Sequence, residues 1–133
     1  MTDKKLCELA IDATKKSYSP YSSFKVGAAL LCDDGSVFTG CNIENVSYTP
    51  TVCAERVAVF KAISEGKREF ESIAIAGGKE DIVGKEICTP CGVCFQVLSE
   101  VCHPDKFNIL LVKDGGFEKY TLRELLPKSF KME

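Results

Sequence analysis

Two short segments of the chain contain residues that could bind a metal ion and transfer protons. They are Cys53-Ala54-Glu55 and Pro90-Cys91-Gly92-Val93-Cys94. Three thiolates would bind a tetrahedral zinc ion and leave its fourth position open for water, as in catalytic zinc sites. A carboxylate beside that water is a common general acid and base. The spacing therefore predicts zinc ligands Cys53, Cys91 and Cys94, with Glu55 as the catalytic residue.

Two other interpretations of these cysteines remain open. Cys88 and Cys91 form a second C-x-x-C unit, so Cys53, Cys88, Cys91 and Cys94 could close a four-ligand structural zinc site. Cys91 and Cys94 could also form a thioredoxin-like redox pair, although that leaves Cys53 and Pro90 unexplained. Pro90 argues against the closed site, because the residue before a proline avoids helical conformation and Cys88 should then lie in extended chain.

The composition limits the class of protein. A length of 133 residues suits a single domain over residues 1–133. The net charge is −2 and the pI is about 5.5, so no overall positive field favours a nucleic-acid backbone. The first residues lack the apolar core of a signal peptide, and no run of 18 apolar residues offers a membrane span. We therefore expect a cytoplasmic protein with reduced thiols, a small-molecule substrate, and no nucleic-acid or membrane partner.

Hydrophobic periodicity and turn signals predict alternating helices and strands. Leu6, Leu9, Ala10 and Ala13 recur at helical spacing near the N-terminus. Asp33-Asp34-Gly35 predicts a hairpin turn. The five predicted strands are Val26–Cys32, Ser36–Ile43, Ile73–Ala76, Asn108–Val112 and Phe117–Tyr120, followed by a helical turn over Leu122–Leu126. Helices between the later strands favour a layered α/β fold with a mixed sheet.

Two predicted helices would carry the metal ligands. Thr51 is a predicted N-cap of a helix that runs through Ala62 and Ile63 and ends near Gly66. Its predicted packing positions are Val57, Phe60 and Ile63. Pro90 opens a second helix from Cys91 to about Val101, with Cys91 and Cys94 on one face. The metal should then lie between two helix N-termini, whose N–H groups favour negative charge.

Arg56 is predicted to act beside the metal ligands. Three thiolates exceed the two positive charges of a zinc ion by one, which weakens the ability of the metal to acidify water. Arg56 directly follows Glu55 and could donate hydrogen bonds to a zinc-bound sulfur. Side chains that hydrogen-bond to metal ligands are common around metal sites.

Four ordered segments together resemble the small, zinc-dependent cytidine deaminases. They are Phe24-Lys25-Val26-Gly27-Ala28-Ala29-Leu30, Gly40-Cys41-Asn42-Ile43-Glu44-Asn45, Cys53-Ala54-Glu55-Arg56 and Pro90-Cys91-Gly92-Val93-Cys94. The resemblance spans nearly the whole chain and includes Leu125-Leu126-Pro127 with Phe130. It implies a three-layer α/β/α sandwich with a mixed five-stranded sheet, a homotetramer with one zinc ion per subunit, and hydrolysis of cytidine and deoxycytidine in pyrimidine salvage.

The same resemblance implies roles for the substrate pocket. Phe24 would pack on the pyrimidine, Asn42 and Glu44 would hydrogen-bond the ribose 3′-hydroxyl, and Ala54 would contact the substrate. Tyr48 and Phe130 would complete the pocket of a neighbouring subunit. In the reaction that this family catalyses, Glu55 takes a proton from the attacking water and delivers protons to N3 of the pyrimidine and to the departing ammonia.

Two departures from the family pattern affect the expected substrate range. Phe95 follows the last metal-binding cysteine where an arginine is usual, and Thr49-Pro50-Thr51 replaces a more usual segment before Cys53. A blasticidin S-type or other small-molecule aminohydrolase is therefore an alternative within the class, although Asn42-Ile43-Glu44-Asn45 resembles the nucleoside enzymes. Outside that class, the alternative is a non-catalytic, zinc-stabilised interaction module.

Overall fold

The protein folds around one five-stranded sheet, in a computed structural model that describes residues 1–130 and residue 132. In chain order, the elements are α1 (Asp3–Ala13), β1 (Phe24–Cys32), β2 (Val37–Cys41), α2 (Ala54–Ser64), β3 (Phe70–Lys79), α3 (Gly92–Val101), β4 (Asn108–Lys113), β5 (Gly116–Thr121) and α4 (Leu122–Leu125). This order confirms the predicted sequence of helices and strands. Within the described residues, no helix is both long and apolar enough to cross a membrane.

The sheet is mixed, as predicted. Its strand order is β2-β1-β3-β4-β5. Strand β1 lies antiparallel to both β2 and β3, β4 lies antiparallel to β5, and β3 and β4 are parallel. A parallel pair needs a crossover connection, which α3 supplies between β3 and β4. Helix α2 likewise crosses the sheet, from the edge strand β2 to the central strand β3.

Alternate residues of the central strands face two separate hydrophobic cores, because successive strand side chains point to opposite faces. On one face, α1 buries Leu6 and Ala10 against Ala29 and Ala74. On the other face, residues of α2 and α3 pack with the remaining strand positions. This larger core includes Ala28, Leu30, Ala58, Val59, Ile73, Ile75, Leu98 and Phe107. Helices thus cover both faces of the sheet, which confirms the predicted three-layer α/β/α sandwich.

The prediction for the start of α2 was wrong, and that for its packing face was right only in part. Thr51 is not the N-cap, because Ile43 and Val52 exchange two backbone hydrogen bonds of 3.0 Å and keep the chain extended up to Cys53, the residue that caps the helix. Ile63 packs against the core as predicted, whereas Phe60 is 49% exposed. The buried positions of α2 are Ala54, Glu55, Ala58, Val59 and Ala62.

Other boundaries differ from the prediction by a few residues. Helix α3 begins at Gly92, so Cys91 is its N-cap and not its first residue. Strand β2 is shorter than predicted, at Val37–Cys41, and β3 is longer, at Phe70–Lys79. The extra length of β3 comes from its pairing with all of β1, from Phe24 opposite Lys79 to Cys32 opposite Phe70.

Gly40 allows α2 to lie unusually close to the edge strand β2. A Cβ atom added to Gly40 would lie 2.5 Å from the carbonyl oxygen of Ala54 and 2.6 Å from the amide nitrogen of Ala58. Both atoms belong to the helix backbone, which cannot yield as a flexible side chain can. The absence of a side chain at Gly40 therefore fixes the height at which the first two turns of α2 lie above the sheet.

We predict that Gly40→Ala lowers the free energy of unfolding by about 2–3 kcal/mol, because the added methyl group overpacks a rigid contact. Chemical denaturation measures this change. Gly116→Ala is the matched control, since a Cβ atom there would meet no heavy atom within 4 Å and should change stability by less than about 0.5 kcal/mol. Equal stabilities for the two variants would contradict the close contact.

Candidate active site

Three cysteine sulfurs meet where the N-termini of α2 and α3 approach each other. Cys53 is the N-cap of α2, Cys91 is the N-cap of α3, and Cys94 lies in the first turn of α3. Their Sγ atoms all lie within 4.8 Å of one another, and those of Cys53 and Cys91 are 3.6 Å apart. Sulfurs that share a tetrahedral zinc ion at 2.3 Å are about 3.8 Å apart. The cluster therefore fits a zinc ion.

Negative charge on these sulfurs is stabilised by the protein itself. Hydrogen bonding from the Cys94 thiol, followed by that from Arg56, lowers the pKa of Cys53 to about 5. The same hydrogen bond to Cys53, together with burial, raises the pKa of Cys94. The amide of Cys94 also donates to Cys91 Sγ at 3.5 Å. Thiolate is the form that binds metals, so this environment favours the ligand state of at least one sulfur.

Arg56 lies where the sequence predicts a residue that supports the ligands. Its Nη2 atom donates to Cys53 Sγ at 3.6 Å. Its Nε atom is buried and has no hydrogen-bond partner within the described residues. The guanidinium thus places a permanent positive charge against the sulfur cluster, where it would offset the excess charge of three thiolates bound to a zinc ion.

Glu55 is a buried carboxyl group directly beside the cluster. It is only 3% exposed, although it lies in the first turn of a helix that reaches the surface. Burial, followed by the charge of Cys53, raises the pKa of Glu55 to about 7. A buried carboxyl group is costly unless it has a partner or a function. Its position two residues from Cys53 is the one expected of a proton carrier.

A cavity of about 160 Å³ opens beside Glu55. Its lining combines groups from three parts of the chain: the β1–β2 edge, the segment leading into α2, and the segment leading into α3. The lining residues are Val26, Asn42, Glu44, Thr51, Val52, Cys53, Ala54, Glu55, Cys88, Thr89 and Cys91. The predicted residues Asn42, Glu44, Ala54 and Glu55 thus lie around one space. Thr51 also lines it, so the unusual segment Thr49-Pro50-Thr51 does border the cavity.

Cys88 lines the cavity but does not belong to the group of three sulfurs. Burial, with smaller contributions from the charges of Glu55 and Cys53, raises the pKa of its thiol to about 11. Cys88 is therefore a neutral thiol near neutral pH. The position of Cys88 outside the group of three sulfurs favours a three-ligand site over the closed four-cysteine site.

Asn42 and Glu44 are held firmly by the protein. Asn42 Oδ1 accepts hydrogen bonds from Ser17 Oγ at 2.5 Å and from the Val26 amide at 2.9 Å, and Asn42 Nδ2 donates to the Phe24 carbonyl at 2.8 Å. Glu44 Oε1 accepts from the amides of Tyr21 and Ser22 at 3.0 and 3.1 Å, and the Ser22 hydroxyl donates to Glu44 Oε2. That hydroxyl bond is the main reason the pKa of Glu44 is lowered.

The three predicted aromatic residues lie at or outside the rim. Phe24 begins β1 and is 39% exposed, whereas Phe130 is 70% exposed and Tyr48 is 91% exposed. None of the three aromatic residues is among the residues that line the cavity of the single chain. Phe95, which stands where the family pattern has an arginine, is half-buried and packs against the α2–α3 core.

Several cavity residues were not predicted as site residues from the sequence. Val26, Val52 and Thr89 line the space without a chemical signature of their own, and Cys88 had been weighed only as a metal ligand. The loop over residues 17–23 is rich in hydroxyl groups, and in the structure it supplies groups that hold Asn42 and Glu44. The sequence shows the hydroxyl groups but not this contact, because the bonded residues are more than twenty positions apart.

Comparison with known proteins identifies the relatives of this chain. The family described as "Cytidine and deoxycytidylate deaminase zinc-binding region" matches residues 1–110. A cytidine deaminase of Halalkalibacterium halodurans is 46% identical over 133 residues, covering 100% of this chain and 97% of that protein. A cytidine deaminase of Sporosarcina psychrophila is 43% identical, covering 100% and 94%.

Solved structures agree with this relationship. The crystal structure of a cytidine deaminase from Burkholderia pseudomallei superposes with a TM-score of 0.88 at 43% identity, covering 98% of this chain and 100% of that one. Similarity to proteins named cytidine deaminases at this identity over the full length also excludes the non-catalytic interaction module. The chain therefore belongs to the cytidine deaminase family and is a hydrolytic deaminase.

Proposed function

We propose that the protein hydrolyses cytidine and deoxycytidine to uridine and deoxyuridine, with release of ammonia. The observation that carries this proposal is the meeting of three cysteine sulfurs with the buried carboxyl group of Glu55 beside a cavity. The cavity suits a small molecule. The same cavity offers an amide and a carboxylate, from Asn42 and Glu44, to a hydroxylated group such as a sugar.

The zinc ion in this proposal is held by Cys53, Cys91 and Cys94, one ion per subunit. When bound, zinc supplies Lewis-acid activation of a water molecule for attack on C4 of the pyrimidine. Arg56 offsets the negative charge that three thiolates bring, through its contact with Cys53 Sγ. The N-termini of α2 and α3 add to the same effect, because the free N–H groups of a helix start favour negative charge.

Glu55 moves the protons. It removes one proton from the attacking water and delivers protons to N3 of the ring and to the amino group that leaves as ammonia. One carboxyl group can serve each transfer in turn, because water gives up two protons in total and N3 and the leaving group accept them. The overall change is cytidine plus water to uridine plus ammonia.

The remaining residues bind and orient the nucleoside. Phe24 packs on the pyrimidine from the start of β1, Ala54 contacts the substrate at the first turn of α2, and Asn42 and Glu44 hydrogen-bond the 3′-hydroxyl. A blasticidin S-type substrate is the alternative within the class. Parallel assays with cytidine, deoxycytidine and blasticidin S, using purified zinc-loaded protein and the fall in ultraviolet absorbance, decide between them. Turnover of blasticidin S alone would overturn the nucleoside proposal.

We also propose a cytoplasmic homotetramer that acts in pyrimidine salvage. Large exposed side chains support the assembly, since Val46, Tyr48 and Phe130 are 82%, 91% and 70% exposed in the single chain. Contact with a neighbouring subunit would remove these apolar side chains from water, which is favourable. In the tetramer, Tyr48 and Phe130 reach the pocket of a neighbouring subunit.

Glu55→Ala should keep its zinc and its fold while kcat falls by about 10²–10⁴, because this residue transfers protons without binding the metal. Steady-state assays with cytidine measure the loss, and metal analysis measures the zinc. Glu65→Ala is the control, because Glu65 lies at the exposed C-terminal end of the same helix and its loss should leave kcat unchanged. Near-normal turnover by Glu55→Ala would overturn the mechanism.

Cys88→Ser should retain one zinc ion per chain and most of the activity, because the Cys88 thiol lies outside the sulfur cluster. Cys53→Ala, Cys91→Ala and Cys94→Ala should each lose zinc and stability, since metal binding is coupled to folding. Metal analysis with thermal unfolding makes the comparison. If Cys88→Ser loses zinc as readily as Cys91→Ala does, the site is a closed four-cysteine site.

Truncation after Pro127 should raise KM for cytidine by about tenfold with little change in zinc content, because it removes an aromatic wall from the neighbouring pocket. Light scattering should give a tetramer for the full chain. The single variants Phe130→Ala and Met132→Ala refine the test, since both side chains lie exposed on the same tail and only Phe130 should matter. A fully active monomer, or unchanged kinetics on truncation, would refute the shared pocket.

A further inference from the structure

Gly77 and Cys88 are in close contact behind the cavity. Gly77 lies in β3, where it pairs with Val26 of β1. A Cβ atom added to Gly77 would lie 2.9 Å from both Cβ and Sγ of Cys88 and 3.2 Å from Cε1 of Phe24. Cβ atoms essentially never approach other atoms as closely as 2.9 Å. The missing side chain of Gly77 is therefore what lets Cys88 lie back against the sheet.

The position of Cys88 matters because its side chain lines the cavity. Cys88 lines this cavity together with Glu55 and Cys53, whose charges act on its thiol. In the proposed function, Glu55 and the sulfur cluster act on the base, and Asn42 and Glu44 bind the sugar. Cys88 consequently faces the base.

We propose that Cys88 is a specificity-determining residue that limits the size of substituents on the C5 edge of the pyrimidine, and that Gly77 is the residue that positions it. This inference rests on the proposed function.

The chemistry of the base explains why this edge is the one that Cys88 contacts. C4 is bonded to N3, to the amino group and to C5. Glu55 serves N3 and the leaving amino group, so both polar neighbours of C4 are accounted for. C5 carries only a C–H group, which forms no strong hydrogen bond and requires an apolar wall. A neutral thiol behaves as a small apolar group, and Cys88 is such a group beside Glu55.

Variants that change the volume at position 88 test the specificity. Cys88→Gly should raise the ratio of kcat/KM for 5-methylcytidine to that for cytidine by about tenfold, because one methyl group in a pocket is worth roughly 10–200-fold. Cys88→Leu should lower the same ratio by about tenfold. Cys102→Ala is the control, since Cys102 is also a buried thiol but belongs to the core behind α3, and the ratio should not change.

A second set of variants tests the role of Gly77. Gly77→Ala should push the Cys88 side chain into the cavity and raise KM for cytidine by about tenfold, with kcat changed by less than about threefold. The double variant Gly77→Ala/Cys88→Gly should bring KM back to within about threefold of the original value, because the clashing atoms are gone. Zinc content should stay at one ion per chain throughout. Should Gly77→Ala fail to fold, the Cys88 series decides without it.

The outcomes separate this inference from the proposed function. Active original protein with equal substrate ratios for Cys88→Gly, Cys88→Leu and the control would overturn the inference alone. Protein that is inactive on cytidine while zinc is bound would overturn both. Calorimetric binding of uridine and 5-methyluridine gives a readout that does not depend on turnover, and the ratio of their affinities should shift toward 5-methyluridine in Cys88→Gly and away from it in Cys88→Leu. Equal affinity ratios in the two variants would also overturn the contact with the base.

Discussion

The contact between α2 and the backbone of β2 at Gly40 sets the position of the candidate site. Helix α2 carries Cys53 at its N-cap and Glu55 in its first turn, so the height of the helix above the sheet fixes both groups. A side chain at Gly40 would meet the helix backbone at 2.5 Å. The small residues on the buried face of α2, Ala54, Ala58 and Ala62, allow the same close approach. The chemistry therefore depends on a contact made by residues without reactive groups.

Charge compensation is the second constraint. In the proposed zinc site, three cysteine ligands would bring one more negative charge than a zinc ion can neutralise, and the buried carboxyl group of Glu55 lies next to them. The protein offsets this charge with a fixed guanidinium, that of Arg56 at 3.6 Å from Cys53 Sγ, and with two helix N-termini that converge on the sulfurs. The burial of Glu55 raises its pKa to about 7, so that the carboxyl group can both accept and donate a proton near neutral pH.

The sequence predicted the features of this fold that depend on local signals. The turn Asp33-Asp34-Gly35 and the apolar periodicity of α1 mark their elements directly, and the element order and the mixed sheet followed from such signals. The start of α2 depends on a distant contact instead. Thr51 is a favourable N-cap residue type, but the bridge between Val52 and Ile43 holds the chain extended for two more residues. The buried face of α2 was predicted only in part. Ile63 packs against the core as expected, but the close approach at Gly40 puts alanines against the sheet and leaves Phe60 exposed. The site chemistry was predictable because the cysteine spacing is itself a chemical constraint, whereas the cavity walls come from segments that only folding brings together.

The bonds that hold Asn42 and Glu44 determine what these two residues can still offer to a ligand. Asn42 Oδ1 already accepts two hydrogen bonds, and Asn42 Nδ2 uses one of its two protons on the Phe24 carbonyl. No partner among the described residues takes the other N–H group, which is therefore available as a donor. Glu44 Oε1 accepts from two amides, and Oε2 accepts from one hydroxyl, so the carboxylate retains acceptor capacity at Oε2. A donor and an acceptor held at fixed positions match a single hydroxyl group, which can accept from one and donate to the other. Because the side chains are already ordered by the protein, binding such a hydroxyl costs little conformational entropy. In the proposed function, the loop over residues 17–23 would thus contribute to substrate binding by ordering the two residues that contact the sugar.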